Sequence, residues 1–217
     1  MATVIETIPA EERADFEGRL KVYGVNSTAV IQPDLVVPPG STMTLSASDP
    51  KSFVKPHVLT TSSLAQLKSW IGVADTLFHA GKFDRNMIAL PRSAVPPSIP
   101  QRGIVAGAGA RPITAIGIAP TIPAQHLDDI RTAAAAYLFG DSQALNPAYQ
   151  AAIEKYFVNF QILYWLFFTI TVNAGSVLFI GPGQNVLSAW RIVIHQGGMV
   201  YAPHGNLKVT STILQKA

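Results

Sequence analysis

The chain has 217 residues, 48% of them apolar and only 13% charged, about half the usual charged share of roughly a quarter, and such a composition excludes a disordered chain. Lys and Arg number 16 against 13 Asp and Glu, a net charge of +3, too small for an electrostatic footprint on nucleic acid, so no nucleic-acid partner is expected. There is no Cys, which rules out disulfide scaffolds, thiolate zinc sites and cysteine nucleophiles.

Residues 1–26 are a charged N-terminal segment, with Glu6, Glu11, Glu12, Asp15 and Glu17 where a secretory leader carries basic and then apolar residues. The expected setting is cytoplasmic, or exported without a cleavable Sec signal. A short helix is expected around Pro9 to Leu20. Residues 30–46 read as a first β segment: Leu35-Val36-Val37, the punctuation Pro38-Pro39-Gly40, then alternation through Met43 and Leu45. Over 62–81 the apolar residues Leu64, Leu67, Ile71, Ala74 and Phe78 recur at helical steps, and Gly81 stands at the C-cap position.

Residues 91–123 hold seven prolines and a Gly/Ala run, which predicts a long loop. Residues 126–168 predict a helical pair. Its first member runs from His126 to Phe139 and stops at Gly140; the second starts at an Asn146 cap with Pro147 at its first position and runs to Trp165–Phe168. Residues 169–215 are β. The whole is expected as a single α+β domain, β at both ends with a helical middle.

The strongest signal is a repeat. At a shift of 22, Ile170 falls on Ile192, Val172 on Ile194, Gly175 on Gly197, Phe179 on Tyr201, Gly183 on Gly205 and Leu187 on Val209. Leu35, Val37, Gly40, Ser41, Met43 and Leu45 fit the same template, aligning with Ile170, Val172, Gly175, Ser176, Leu178 and Ile180. Gly40, Gly175, Gly183, Gly197 and Gly205 are therefore expected at structural turns, where positive φ is cheap only for glycine. A short alternating strand cannot bury its inner face alone; copies that stack like over like can. These segments resemble the coils of a short parallel β-helix, a β-solenoid of the bactofilin-like kind. The resemblance implies a fold and no activity. Two hairpins of a β-sandwich or jelly roll fit the same glycines.

From Lys155 to Arg191 the intervening residues carry no charge. The aromatic run at 156–172 is shorter than the roughly 20 residues a membrane helix needs. Placed on a helix, Val158, Ile162, Trp165 and Phe168 form a second apolar stripe, expected to face a second copy.

His57, His79, His126, His195 and His204 form no local ligand motif. Gly197 to Gly205 has the Gly-x5-Pro-x-Gly spacing of the cupin second motif, but Lys208 stands where that family places a ligand histidine. No catalytic, cofactor or metal residue is expected, and no cofactor. The leading expectation is a non-enzymatic structural protein that self-associates into a homo-oligomer or filament. The alternatives are a membrane-active, toxin-like protein and a carbohydrate-binding module or adhesin that presents Trp70, Trp190 or Tyr201 to a glycan.

Overall fold

A computed structural model of the chain describes residues 8–26, 32–50, 52, 54–84, 88–92, 96, 124–157, 160–203 and 205–217. Most of the proline-rich loop expected at 91–123 lies outside these residues. The fold is mixed α/β with parallel sheets and helices. It divides into two compact units, one of residues 1–59, 112–115 and 162–217, the other of 60–111 and 116–161.

The first unit opens with helix α1, Ala10–Val22, which has Glu11 and Glu12 in its first turn and Arg19 and Lys21 in its last, the charge order the helix dipole favours. Phe16 and Leu20, one turn apart, are fully buried. The strands are β1 (Gln32–Val37), β2 (Thr42–Leu45), β3 (His57–Thr60), β4 (Gln161–Val172), β5 (Val177–Ile180), β6 (Gly183–Ile194), β7 (Met199–Tyr201) and β8 (Gly205–Lys216). One sheet has the order β1-β4-β6-β8, with β3 also on β4; the other has the order β2-β5-β7. Every pairing along these two paths is parallel.

The register follows the 22-residue repeat. Ile170 pairs with Ile192, Val172 with Ile194, Leu187 with Val209, Phe179 with Tyr201 and Gly183 with Gly205. The N-terminal segment joins at the places its sequence alignment marks: Leu35 opposite Ile170, Val37 opposite Val172, Met43 opposite Leu178 and Leu45 opposite Ile180. Both sheets feed one apolar cluster, which includes Leu35, Val37, Leu45, Trp165, Ile170, Leu178 and Ile192. Gly40, Gly175 and Gly197 hold φ of 67°, 66° and 73° at the same corner of successive repeats. Gly183, with φ of 129°, and Gly205 are the first residues of β6 and β8. The chain runs from β5 to β6 through Gly181-Pro182, whereas the equivalent stretch after β2 contains β3 and all the helices of the second unit.

The largest correction concerns residues 161–168, expected as the end of a helix. They begin β4, and the preceding helix ends at Phe157. The apolar residues satisfy a helical stripe only because both strand faces are apolar. β4 lies between β1 and β6, and consecutive residues from Ile162 to Phe168 are all buried. A central parallel strand covered on both faces reads as a continuous apolar run rather than an alternation. Its aromatic and β-branched residues suit the pleat.

The second unit holds α2 (Leu64–Ile71), α3 (Asp75–His79), α4 (Ala124–Phe139), a 3-10 turn (Ser142–Ala144) and α5 (Pro147–Phe157). The Ser63 side chain caps α2 by accepting from the Gln66 N–H. The single helix expected over 62–81 breaks at Gly72. Its backbone turns extended there, its N–H goes to the Lys68 carbonyl at 2.8 Å, and the next N–H, of Val73, goes to the Leu138 carbonyl at 2.8 Å. A Cβ on Gly72 would sit 2.4 Å from the Leu138 oxygen, so the approach of α2 to α4 requires glycine. Asn146 caps α5 as expected, its side-chain oxygen accepting from the Ala148 N–H at 2.9 Å.

Candidate interaction surface

The register builds columns of like side chains across the parallel sheets, and their two ends differ. Leu35, Ile170 and Ile192 are buried, but the fourth member of that column, Leu214, is 67% exposed. In the next, Trp165 and Leu187 are buried and Val209 is 42% exposed. These two belong to β8, a twelve-residue strand paired on one side only among the described residues.

The opposite end is closed. Leu35, Val37 and Leu45 are fully buried, and Ala47 and Val54 pack on the same cluster. The segment bearing Ala47 and Val54 is tied down by serines: the Ser46 N–H donates to Ser52 Oγ at 2.9 Å, and Ser52 Oγ donates to the Val54 carbonyl at 2.7 Å. β1 itself is a poor template. It has six residues, starts Gln32-Pro33 and carries Asp34, whose carboxylate accepts a hydrogen bond from Thr169; short length, proline and charge are the usual means of blunting an edge.

The residues expected to mediate self-association do not form this surface. Val158 lies outside the described residues. Ile162, Trp165 and Phe168 are buried within the single chain. Trp165 points into the apolar cluster and donates its indole N–H to Asn185 Oδ1 at 2.9 Å. Phe168 stacks on Trp190 with ring centroids 4.9 Å apart. The stripe disappears with the helix that carried it. Leu214 and Val209 were legible by another route, because one more step of 22 from Ile192 and Leu187 arrives at them.

Several polar side chains bond within each unit. Beneath α1, Trp190 donates to Glu12 at 2.8 Å, Arg19 Nε lies 3.2 Å from Asp15 and its Nη2 donates to Thr212, and Tyr23 stacks on Tyr164 at 4.5 Å. Burial raises both tyrosine hydroxyls above their ordinary range, Tyr164 to about 12 even though Ser188 and Arg19 pull it down. Burial pushes the Lys208 ammonium the other way, below the usual lysine value. In the helical unit Lys68 Nζ sits 2.8 Å from Asp75 Oδ1 and also donates to the Gly140 carbonyl. Ser142 gives Asp75 two more bonds, from its N–H at 2.8 Å and its hydroxyl at 2.6 Å. Burial favours the neutral Asp75 carboxyl, but these hydrogen bonds and the Lys68 charge outweigh it and hold its pKa below the ordinary carboxylate value.

His79 Nε2 lies 3.2 Å from Asp141, and Asp141 also caps the 3-10 turn. No cluster of three His, Asp or Glu able to hold a metal occurs among the described residues. Of the aromatics considered for glycan stacking, Trp70 is buried and Trp190 is engaged with Glu12 and Phe168; Tyr201 is half exposed, edge-on to Phe179. No helix among the described residues is long and apolar enough to cross a membrane. Set against known proteins, the chain matches no family model, no curated protein and no solved structure.

Proposed function

We propose that this chain is a non-enzymatic structural protein, a short β-solenoid that associates with further copies of itself through the end formed by β8. The in-register columns at a spacing of 22 and the recurring positive-φ glycines favour the solenoid over a sandwich of antiparallel hairpins. The observation that carries the functional reading is Leu214, an apolar side chain in line with a buried column yet 67% exposed. Burying such a side chain is worth about 1.5–3 kcal/mol.

A membrane-active role for the 156–172 segment would require its β4 part, Gln161–Val172, to leave the sheet. β4 is paired with β1 and β6, and its withdrawal would dismantle the apolar cluster to which Trp165, Ile170 and Val172 belong. Light scattering coupled to size exclusion over a wide range of dilutions tests the proposal. A mass above that of the monomer, falling on dilution, is expected; a monomer at every concentration overturns it.

A further inference from the structure

The sheet face under α1 gathers buried polar atoms that the protein itself does not pair. Tyr164 and Ser188 are fully buried, and Ser188 stands opposite Thr210 in the parallel register of β6 and β8. Arg19 reaches the same face from α1, its Nη2 donating to Thr212, two residues beyond Thr210. Ser188 and Arg19 both act on the Tyr164 hydroxyl, pulling its pKa down against burial, so these side chains share one neighbourhood. Yet Tyr164 Oη, Ser188 Oγ, Thr210 Oγ1 and Arg19 Nη1 are all buried without hydrogen-bond geometry to any described group. Native proteins leave few such atoms, and bound water commonly meets those that remain.

We infer that internal water is bound beneath α1, bridging Arg19 Nη1 to the hydroxyls of Tyr164, Ser188 and Thr210. The guanidinium can only donate, so whatever it meets must accept. An anion would accept, but the charge of Arg19 is already answered by Asp15, 3.2 Å from its Nε, and Glu12 on the same helix adds a second carboxylate. A further buried negative charge would find no free cation among these groups to offset its desolvation. A cation is opposed by Arg19 itself. Water accepts from Nη1 and exchanges hydrogen bonds with the hydroxyls in either direction, and an internal water typically makes about three such bonds. It then links α1 to the sheet alongside the burial of Phe16 and Leu20. All four side chains belong to one unit of one chain, so the site is independent of self-association.

The sign of two near-isosteric changes tests the inference. Tyr164→Phe and Thr210→Val each remove one hydroxyl and nearly keep its volume. Loss of a hydroxyl bonded to water destabilises, whereas loss of a dry orphan stabilises. Each variant, measured dilute, is expected to melt about 2–4 °C below the parent with its circular dichroism spectrum unchanged. Magnetic relaxation dispersion of the water signal is expected to count fewer long-lived waters in the double variant than in the parent. A melting temperature at or above the parent's in either single variant overturns the inference, and so does an equal count of long-lived waters. If the double variant does not fold, a crystal structure of the parent decides. Ordered water within hydrogen-bond reach of Arg19 Nη1 and at least two of the three hydroxyls sustains the inference; a bound anion there, or direct bonds among these groups with no water, overturns it.

Discussion

Ile192 lies between Ile170 and Leu214 in one column, its partner on β4 buried and its partner on β8 open to solvent. The three positions hold similar side chains and differ only in what covers them. Ile192→Ala should therefore cost about 2–5 kcal/mol, the range for a large-to-small change in a packed core. Leu214→Ala should stay within about 0.5 kcal/mol when the chain is dilute. Urea unfolding at low concentration measures both, and equal losses at the two sites would mean that Leu214 is covered in the isolated chain.

The repeat was readable because parallel strands one repeat apart superpose identical chemistry. A shift of 22 found in the letters becomes the hydrogen-bonded register, including the distant segment around Leu35. What misled was β4. Hydrophobic period separates helix from strand when one face is wet, and here neither is, so Ile162, Trp165 and Phe168 fit a stripe they do not form. The break of α2 at Gly72 was hidden for a different reason. It depends on the carbonyl of Leu138, far along the chain, and no local pattern reports such an approach. The exposed end was recoverable from the repeat but lies where the alignment runs out of copies to compare.

Asn185 interrupts the column between Leu163 and Leu207. Its amide donates to the carbonyls of Gly181 at 3.1 Å and Gly183 at 3.0 Å while its oxygen receives the Trp165 indole. Replacing it by Leu looks conservative from the column alone, yet it leaves three polar groups without these partners. Each buried orphan costs about 1–3 kcal/mol, so Asn185→Leu should destabilise strongly and shift the Trp165 fluorescence. Wild-type stability in this variant would mean that the corner closes without the amide.

Gly175 has φ of 66° with open space around the position of a Cβ. The penalty for a side chain there is conformational alone. Gly175→Ala should lose about 1–2 kcal/mol, and Gly175→Asn less, because Asn tolerates the left-handed region. Thermal melts of the two variants decide it; an Ala variant as stable as the Asn variant would remove the argument for a backbone requirement at this corner.

Asp75 joins α2, α3 and the 3-10 turn through Lys68 and Ser142. Its folded pKa lies below the ordinary carboxylate value, so the folded state binds fewer protons than the unfolded one in that window. The stability it confers is fully present above an unfolded pKa of about 3.9 and is lost as pH falls through the lower folded value. Asp75→Asn should lower the urea midpoint at neutral pH and flatten its fall toward about pH 3. A variant whose acid limb superposes on that of the parent would show that other carboxyls govern the transition.

At alkaline pH the sign reverses for the stacked pair beneath α1. Tyr23 and Tyr164 have raised folded pKa values, Tyr164 to about 12, so the folded chain holds protons that the unfolded chain gives up. Their contribution is complete below an unfolded value of about 10 and is lost as pH rises through the folded value. Lys208 acts oppositely: with its pKa depressed by burial, the cost of its buried charge is relieved as pH rises toward the ordinary lysine value. Tyr23 and Tyr164 should therefore ionise only as the sheet unfolds. Near-ultraviolet phenolate absorbance followed alongside circular dichroism measures the order. Tyr164→Phe should remove one late proton from the titration, and a curve unchanged by that substitution would mean that Tyr164 ionises in the folded state.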